Sequence, residues 1–138
     1  MDLSKCTYSL FSDGGSRGNP GNAGAGFVLL DASGNEISAG KKYLGRATNN
    51  IAEYTALILG LQKAQEMGIF SLNCFLDSEL IVRQLSGQYR VKHPDLKPLF
   101  LEVQKRAYFF KSISFLHVPR AQNKRADQLA NEAMDEAE

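Results

Sequence analysis

Two apolar runs in this chain end on an aspartate: FSDGG closes one on Asp13 and FLDSE closes another on Asp77. If both runs are strands, lying parallel and adjacent, the two carboxylates stand side by side. Like charges at that range repel and raise a pKa unless a cation lies between them. Oxygen-only ligands favour a hard ion such as Mg²⁺ or Mn²⁺. Two further acids are candidates for the same site. Glu53 falls in the first turn of an otherwise apolar helical stretch, and Asp127 in the first turns of a last helix, within NKRADQLANEA. Each acid has an ordinary explanation when taken alone. Asp13 suits a turn, Asp77 suits a cap for SELIVRQL, and Glu53 and Asp127 complement helix dipoles. Four acids at element ends, each in polar, Asn- or Gly-rich company, are less easily explained as four separate caps.

The elements that must position these acids follow from periodicity. Residues 6–12 and 26–30 read as strands, and the glycine-rich stretch between them as turn chemistry. DASGN at residues 31–35 reads as a hairpin turn, with Ser-Gly-Asn supplying positive φ, and residues 36–44 return as a third strand. In residues 50–68 the apolar positions 51, 54, 57, 58, 61 and 64 fall near the helical period. Asn49 or Asn50 can cap that helix and Gly68 can stop it. Residues 71–76 form a short strand ending on Asp77, 78–85 a short helix, 94–110 another, 112–118 a last strand, and the chain from 123 onward an alanine-rich amphipathic helix. The order βββαβααβα predicts an α/β domain with a mixed sheet and helices on its faces. Ligands in such sheets bind at the carboxyl ends of strands.

Composition narrows the classes. At 138 residues, 43% hydrophobic and 22% charged, the chain suits one soluble domain. A net charge of +1 gives no global pull toward a polyanion, so any nucleic-acid contact must come from a local patch. No apolar run is long enough to span a membrane, and MDLSKCTYSL lacks the pattern of a signal peptide. Cys6 and Cys74 sit in apolar runs and read as buried thiols of a cytoplasmic protein. Nothing in the sequence suggests other than a monomer.

Four stretches, DGGSRGNPGNAGAG, ATNNIAEYTALILGL, FLDSELIVRQL and HVPRAQNKRADQLAN, stand in register with this element order. Through them the chain resembles the ribonuclease H type 1 family over nearly its whole length. The resemblance implies a ribonuclease H-like fold, a five-stranded mixed sheet with helices on both faces, forming a single catalytic domain over residues 1–138. It implies that Asp13, Glu53, Asp77 and Asp127 form a four-carboxylate catalytic and metal site, with Asp13 bridging two Mg²⁺ or Mn²⁺ ions. The activity implied is endonucleolytic hydrolysis of the RNA strand of an RNA–DNA hybrid, leaving 5′-phosphate and 3′-hydroxyl ends. In that chemistry one ion activates water and the other stabilises the leaving oxygen, the pair lying roughly 3.5–4 Å apart.

Cutting RNA but not DNA requires sensing 2′-hydroxyls across the wide minor groove of an A-like duplex. Gly14 and Gly15 allow close backbone approach, and Ser16 adds a small donor and acceptor. By resemblance, Asn49 and Asn50 contact bases and sugars, while Asn19 and Thr48 hold a phosphate of the DNA strand. Glu79 stands where some relatives carry a glutamine that touches the minor groove. SGQYRVKHPDLKPLF crosses directly the region where many bacterial relatives insert a basic handle; Arg90, Lys92, His93 and Lys97 leave some positive charge there. Binding weaker and more salt-sensitive than in handle-bearing relatives is therefore expected. Many relatives place a mobile histidine before the last helix. His117 has the right distance from Asp127, but Val118 and Pro119 follow it. A compact branch of the family shows a similar VPR pattern with arginine in the histidine's place, which favours Arg120 as a phosphate contact. Members of that branch also cut double-stranded RNA, which leaves that substrate open. The other alternative is a catalytically silent hybrid-binding module; the presence of all four acids argues against it.

Overall fold

The computed structural model describes residues 6–137. Its strands are β1 (Thr7–Arg17), β2 (Gly21–Leu30), β3 (Glu36–Ala47), β4 (Ser71–Leu76) and β5 (Ser112–His117). Its helices are α1 (Asn49–Glu66), α2 (Glu79–Leu85), α3 (Lys97–Ala107) and α4 (Lys124–Asp135), with a 3₁₀ turn at Arg120–Gln122. The sheet order is β3-β2-β1-β4-β5. β1 pairs antiparallel with β2 and parallel with β4, and β4 runs parallel to β5. Ser12 lies opposite Leu76 in the parallel pair, so the next residues, Asp13 and Asp77, emerge beside each other. The fold is the five-stranded mixed sheet that the element order predicts.

The two sheet faces are covered differently. Leu10, Phe27, Leu29, Leu72 and Cys74 share a buried cluster with Tyr54, Leu57 and Leu61 of α1, Ile81 of α2 and Val103 of α3. The opposite face of β1–β3 lies under α4. There, Gly24 and Gly26 allow close approach: a Cβ would lie 2.6 Å from the Ala130 carbonyl and 2.7 Å from that of Ala126. Cys74 is a buried thiol, whereas Cys6 is a half-buried thiol just before β1, not fully buried as its apolar run predicts. No helix among the described residues is long and apolar enough to cross a membrane.

Several boundaries differ from the sequence-based expectation. β1 and β2 run through the glycines that read as turn, and the reversal is confined to Gly18–Pro20, with Gly18 at φ 96°. Gly14 and Gly24 are strand residues, not turn residues, and like Gly26, a strand residue as expected, they admit helices by their missing side chains. In the second hairpin only Gly34 takes positive φ; Ser33 and Asn35 instead donate their amides to the Asp31 carboxylate. Neither Asn49 nor Asn50 caps α1. Thr48 does, its extended backbone directing Oγ1 to accept from the Ile51 amide at 3.2 Å. With α1 starting at Asn49, Glu53 lies beyond the first turn, not within it. α3 starts at Lys97 because residues 94–96 form a turn closed by His93, and Pro98 then sits in its first turn. β5 stops at His117, one residue short, and the last helix starts at Lys124.

Candidate active site

Three elements deliver three carboxylates to one point. Asp13 lies inside the central strand β1, one residue past the stretch paired with β4, and is 6% exposed. α1 crosses the strand there at close range because Gly14 has no Cβ; one would overlap the backbone of Ala52 and Glu53. This contact brings Glu53, 8% exposed, over Asp13. On β4, Ser78 rather than Asp77 caps α2, with Oγ accepting from the Ile81 amide at 3.3 Å. The cap role that the sequence allows Asp77 is thus taken by its neighbour, and its carboxylate turns to the cleft. One carboxylate oxygen from each of Asp13, Glu53 and Asp77 lies within 4.8 Å of the others.

Electrostatics follow from this crowding. Burial, then the Asp77 charge, push the Asp13 carboxyl from 3.8 up to about 7. Burial, then the charges of Asp13 and Asp77, hold Glu53 well above the ordinary carboxylate range, and the facing Gly14 amide offsets only part of this. Such shifts mark sites built for function more often than for stability. A divalent cation fits this donor set. All three side chains are hard oxygen donors, and Glu53 Oε2 is buried without a hydrogen-bond partner in the protein. The fourth acid, Asp127, stands at the edge of the triple. It borders Asp13, and its Oδ1 accepts from Arg120 Nη2 at 3.3 Å.

The residues expected to touch substrate divide into two groups. A cleft of about 420 Å³ is lined by the four acids with Gly14, Gly15, Ser16, Asn49 and Arg120. A smaller depression of about 170 Å³ is lined by Asn19, Thr48 and Asn50, together with His93 and Asp95. Asn49 joins the two: its Oδ1 accepts from the Ser16 amide at 2.7 Å and its amide donates to Asn19 Oδ1 at 3.1 Å. Because Thr48 does the capping, the Asn49 side chain is available for this bridge. His117 ends β5 outside the lining of the acid cleft, and Arg120 is inside it. Glu79 is held by Arg83 on α2, at 2.6 and 2.9 Å. Arg90 and Lys97 line a separate groove with Tyr89.

Sequence reasoning missed part of this site. Ala130, Asn131 and Met134, one and two turns beyond Asp127 on α4, line the acid cleft, as does Arg17. Their helical spacing from Asp127 was the available signal. Asn123, four residues before Asp127, shows in the sequence only as a helix start. It makes no cap bond and lies buried against the acids.

Comparison with known proteins extends this picture. Residues 11–133 match a family described as reverse transcriptase-like. A bifunctional protein of Mycobacterium tuberculosis, Rv2228c, is 50% identical over 127 residues, covering 91% of this chain and 35% of that protein. The chain therefore spans about a third of that relative's length (35%). The structure of the relative's N-terminal RNase H domain, solved as a fusion with maltose-binding protein, superposes with a TM-score of 0.94 at 46% identity, covering 96% of each chain. Ribonuclease HI of Halobacterium salinarum is 44% identical over 127 residues, 92% of this chain and 64% of that one. The crystal structure of an RNase H1, LC11, isolated from compost and in complex with an RNA/DNA hybrid, superposes with a TM-score of 0.90 at 43% identity. That match covers 94% of this chain and 98% of the other.

Proposed function

The chain belongs to the ribonuclease H type 1 family, and on that premise we propose that it is an endonuclease cutting the RNA strand of RNA–DNA hybrids. The observation that carries the reading is the triple of Asp13, Glu53 and Asp77, drawn together where the parallel pairing of β1 and β4 ends and α1 crosses it, beside a glycine-lined cleft. Asp13, Glu53, Asp77 and Asp127 would hold two Mg²⁺ or Mn²⁺ ions. When bound, such ions lower the pKa of water toward neutrality and stabilise charge on the oxygens of an in-line displacement. The products are 5′-phosphate and 3′-hydroxyl ends.

This chain's own residues orient the duplex. Gly14, Gly15 and Ser16 present backbone and hydroxyl groups where the minor groove of the hybrid would lie. Asn49, in the first turn of α1 beside them, and Asn50, facing the neighbouring depression, read sugars and base edges there. Thr48, Asn19 and their depression take a phosphate of the DNA strand. That choice of strand keeps the RNA over the acids. Arg120 contacts phosphate near Asp127. A guanidinium stays charged at neutral pH, so its contribution is electrostatic and moves no proton. The protein acts as a monomeric cytoplasmic catalytic domain.

The test uses one sequence in three forms: RNA–DNA hybrid, double-stranded RNA and double-stranded DNA, each strand labelled separately. Cutting of the RNA strand of the hybrid in Mg²⁺ or Mn²⁺, and none in EDTA, is expected. Cutting of double-stranded RNA as well would add that substrate. Tight hybrid binding by folded protein with no cutting in either metal would leave a binding module and overturn the enzyme reading.

A further inference from the structure

Asn123 touches every strand and helix that carries an acid of the site except α1. It is 1% exposed. Its Nδ2 donates to the Ser12 carbonyl at 2.9 Å and to Asp77 Oδ2 at 3.1 Å. Its own carbonyl accepts the Asp127 amide at 3.0 Å. One residue thus joins the peptide before Asp13 on β1, the carboxylate at the end of β4, and the helix turn that carries Asp127. The amide orientation is unambiguous, since turning it over would set Oδ1 against two oxygens.

An ordinary capping role does not account for this arrangement. Asn123 precedes α4, yet its side chain makes no cap bond. Both amide protons go to the site, and Oδ1 is left buried without a partner in the protein. A buried unmatched acceptor is unfavourable, and a serine or aspartate would cap α4 without it. The geometry points to Asn123 as a positioning residue. It fixes the orientation of the Asp77 carboxylate through the hydrogen bond to Oδ2, beside Asp13 and Glu53, and it holds Asp127 at a set distance from both strands. Groups that hold the ligands of a metal site act in this way on affinity and turnover. The inference rests on the reading of the acids as a divalent-metal site.

The test pairs Mn²⁺ binding, titrated calorimetrically without nucleic acid, with steady-state cutting of an RNA–DNA hybrid. Asn123→Ala removes both side-chain hydrogen bonds; Asn123→Ser supplies a hydroxyl able to cap α4 but too short to make them. Both variants should bind Mn²⁺ more weakly and turn over more slowly by about 10- to 100-fold, with KM within about threefold of wild type. The loss in Mn²⁺ affinity should vanish in an Asp77→Asn background, because Asn123 acts through Asp77. Full rescue by Asn123→Ser, unchanged Mn²⁺ affinity with only a lowered melting temperature, or unfolding of both variants would each assign Asn123 to the fold alone and overturn the inference. Wild-type protein that binds Mn²⁺ but cuts no hybrid would fail the functional reading and leave the Mn²⁺ arm of this test intact.

Discussion

Without metal, the acids of the site should weaken the fold, and replacing Asp13 with asparagine should strengthen it. In the folded protein the Asp13 carboxyl is raised from 3.8 to about 7, first by burial and then by the Asp77 charge. Between those two values the folded state keeps a proton that the unfolded chain has lost. Stability is therefore fully present below the unfolded value and falls as pH rises toward the folded one. At about 1.4 kcal/mol per pKa unit, the loss approaches ~4 kcal/mol by neutral pH, an upper figure because Asp13 and Glu53 share their charge. Asparagine keeps the shape and cannot ionise. In EDTA at pH 7.5, Asp13→Asn should be more stable than wild type by about 2–4 kcal/mol, and at pH 4 by little. Urea unfolding reads this directly. With a slope near ~2 kcal/mol/M, the midpoint should rise by about 1–2 M at pH 7.5. Saturating Mg²⁺ should close much of the gap by stabilising only the wild type, by about 2.7 kcal/mol at a hundred times Kd. An equal or lower midpoint for the variant at pH 7.5 in EDTA would refute the reasoning, as would the same gain at pH 4.

Two further outcomes follow from single contacts. Gly14→Ala would place a methyl group inside the Ala52 backbone; it should destabilise the fold by about 1–3 kcal/mol or more and, by pushing α1 away, lower Mg²⁺ affinity in calorimetry. Arg120→Ala should lower kcat on the hybrid by about 10- to 100-fold, the worth of one charge-assisted hydrogen bond, while the shape of the pH–rate profile stays unchanged because arginine does not titrate there.

How far the site is legible in the sequence depends on what each residue depends on. Asp13 and Asp77 are visible because each ends an apolar run, and a parallel pairing of those runs fixes their neighbourhood. Glu53 is visible as an acid on an apolar face, although its depth along α1 depends on Thr48 being the cap. The glycines mislead. Gly14 and Gly24 carry the composition of a turn, but they are small because α1 and α4 press on the sheet, a tertiary demand that no local pattern contains. The same limit hides Asn123, whose partners Ser12 and Asp77 are 111 and 46 residues away in sequence. The split of the expected substrate residues into a cleft and a side depression arises from the bridge of Asn49 to Ser16 and Asn19. That bridge exists only once the first hairpin meets α1.

Hydrolysis of RNA by the clustered carboxylates is read out by cutting an RNA–DNA hybrid, labelled on its RNA strand, with wild type and Asp77→Asn in Mg²⁺, and by identifying the product ends. Wild type should give internal cuts carrying 5′-phosphate and 3′-hydroxyl ends, and the folded variant no cutting above the EDTA background. Undiminished cutting by Asp77→Asn, or products ending in a 2′,3′-cyclic phosphate, would contradict this role for the carboxylates.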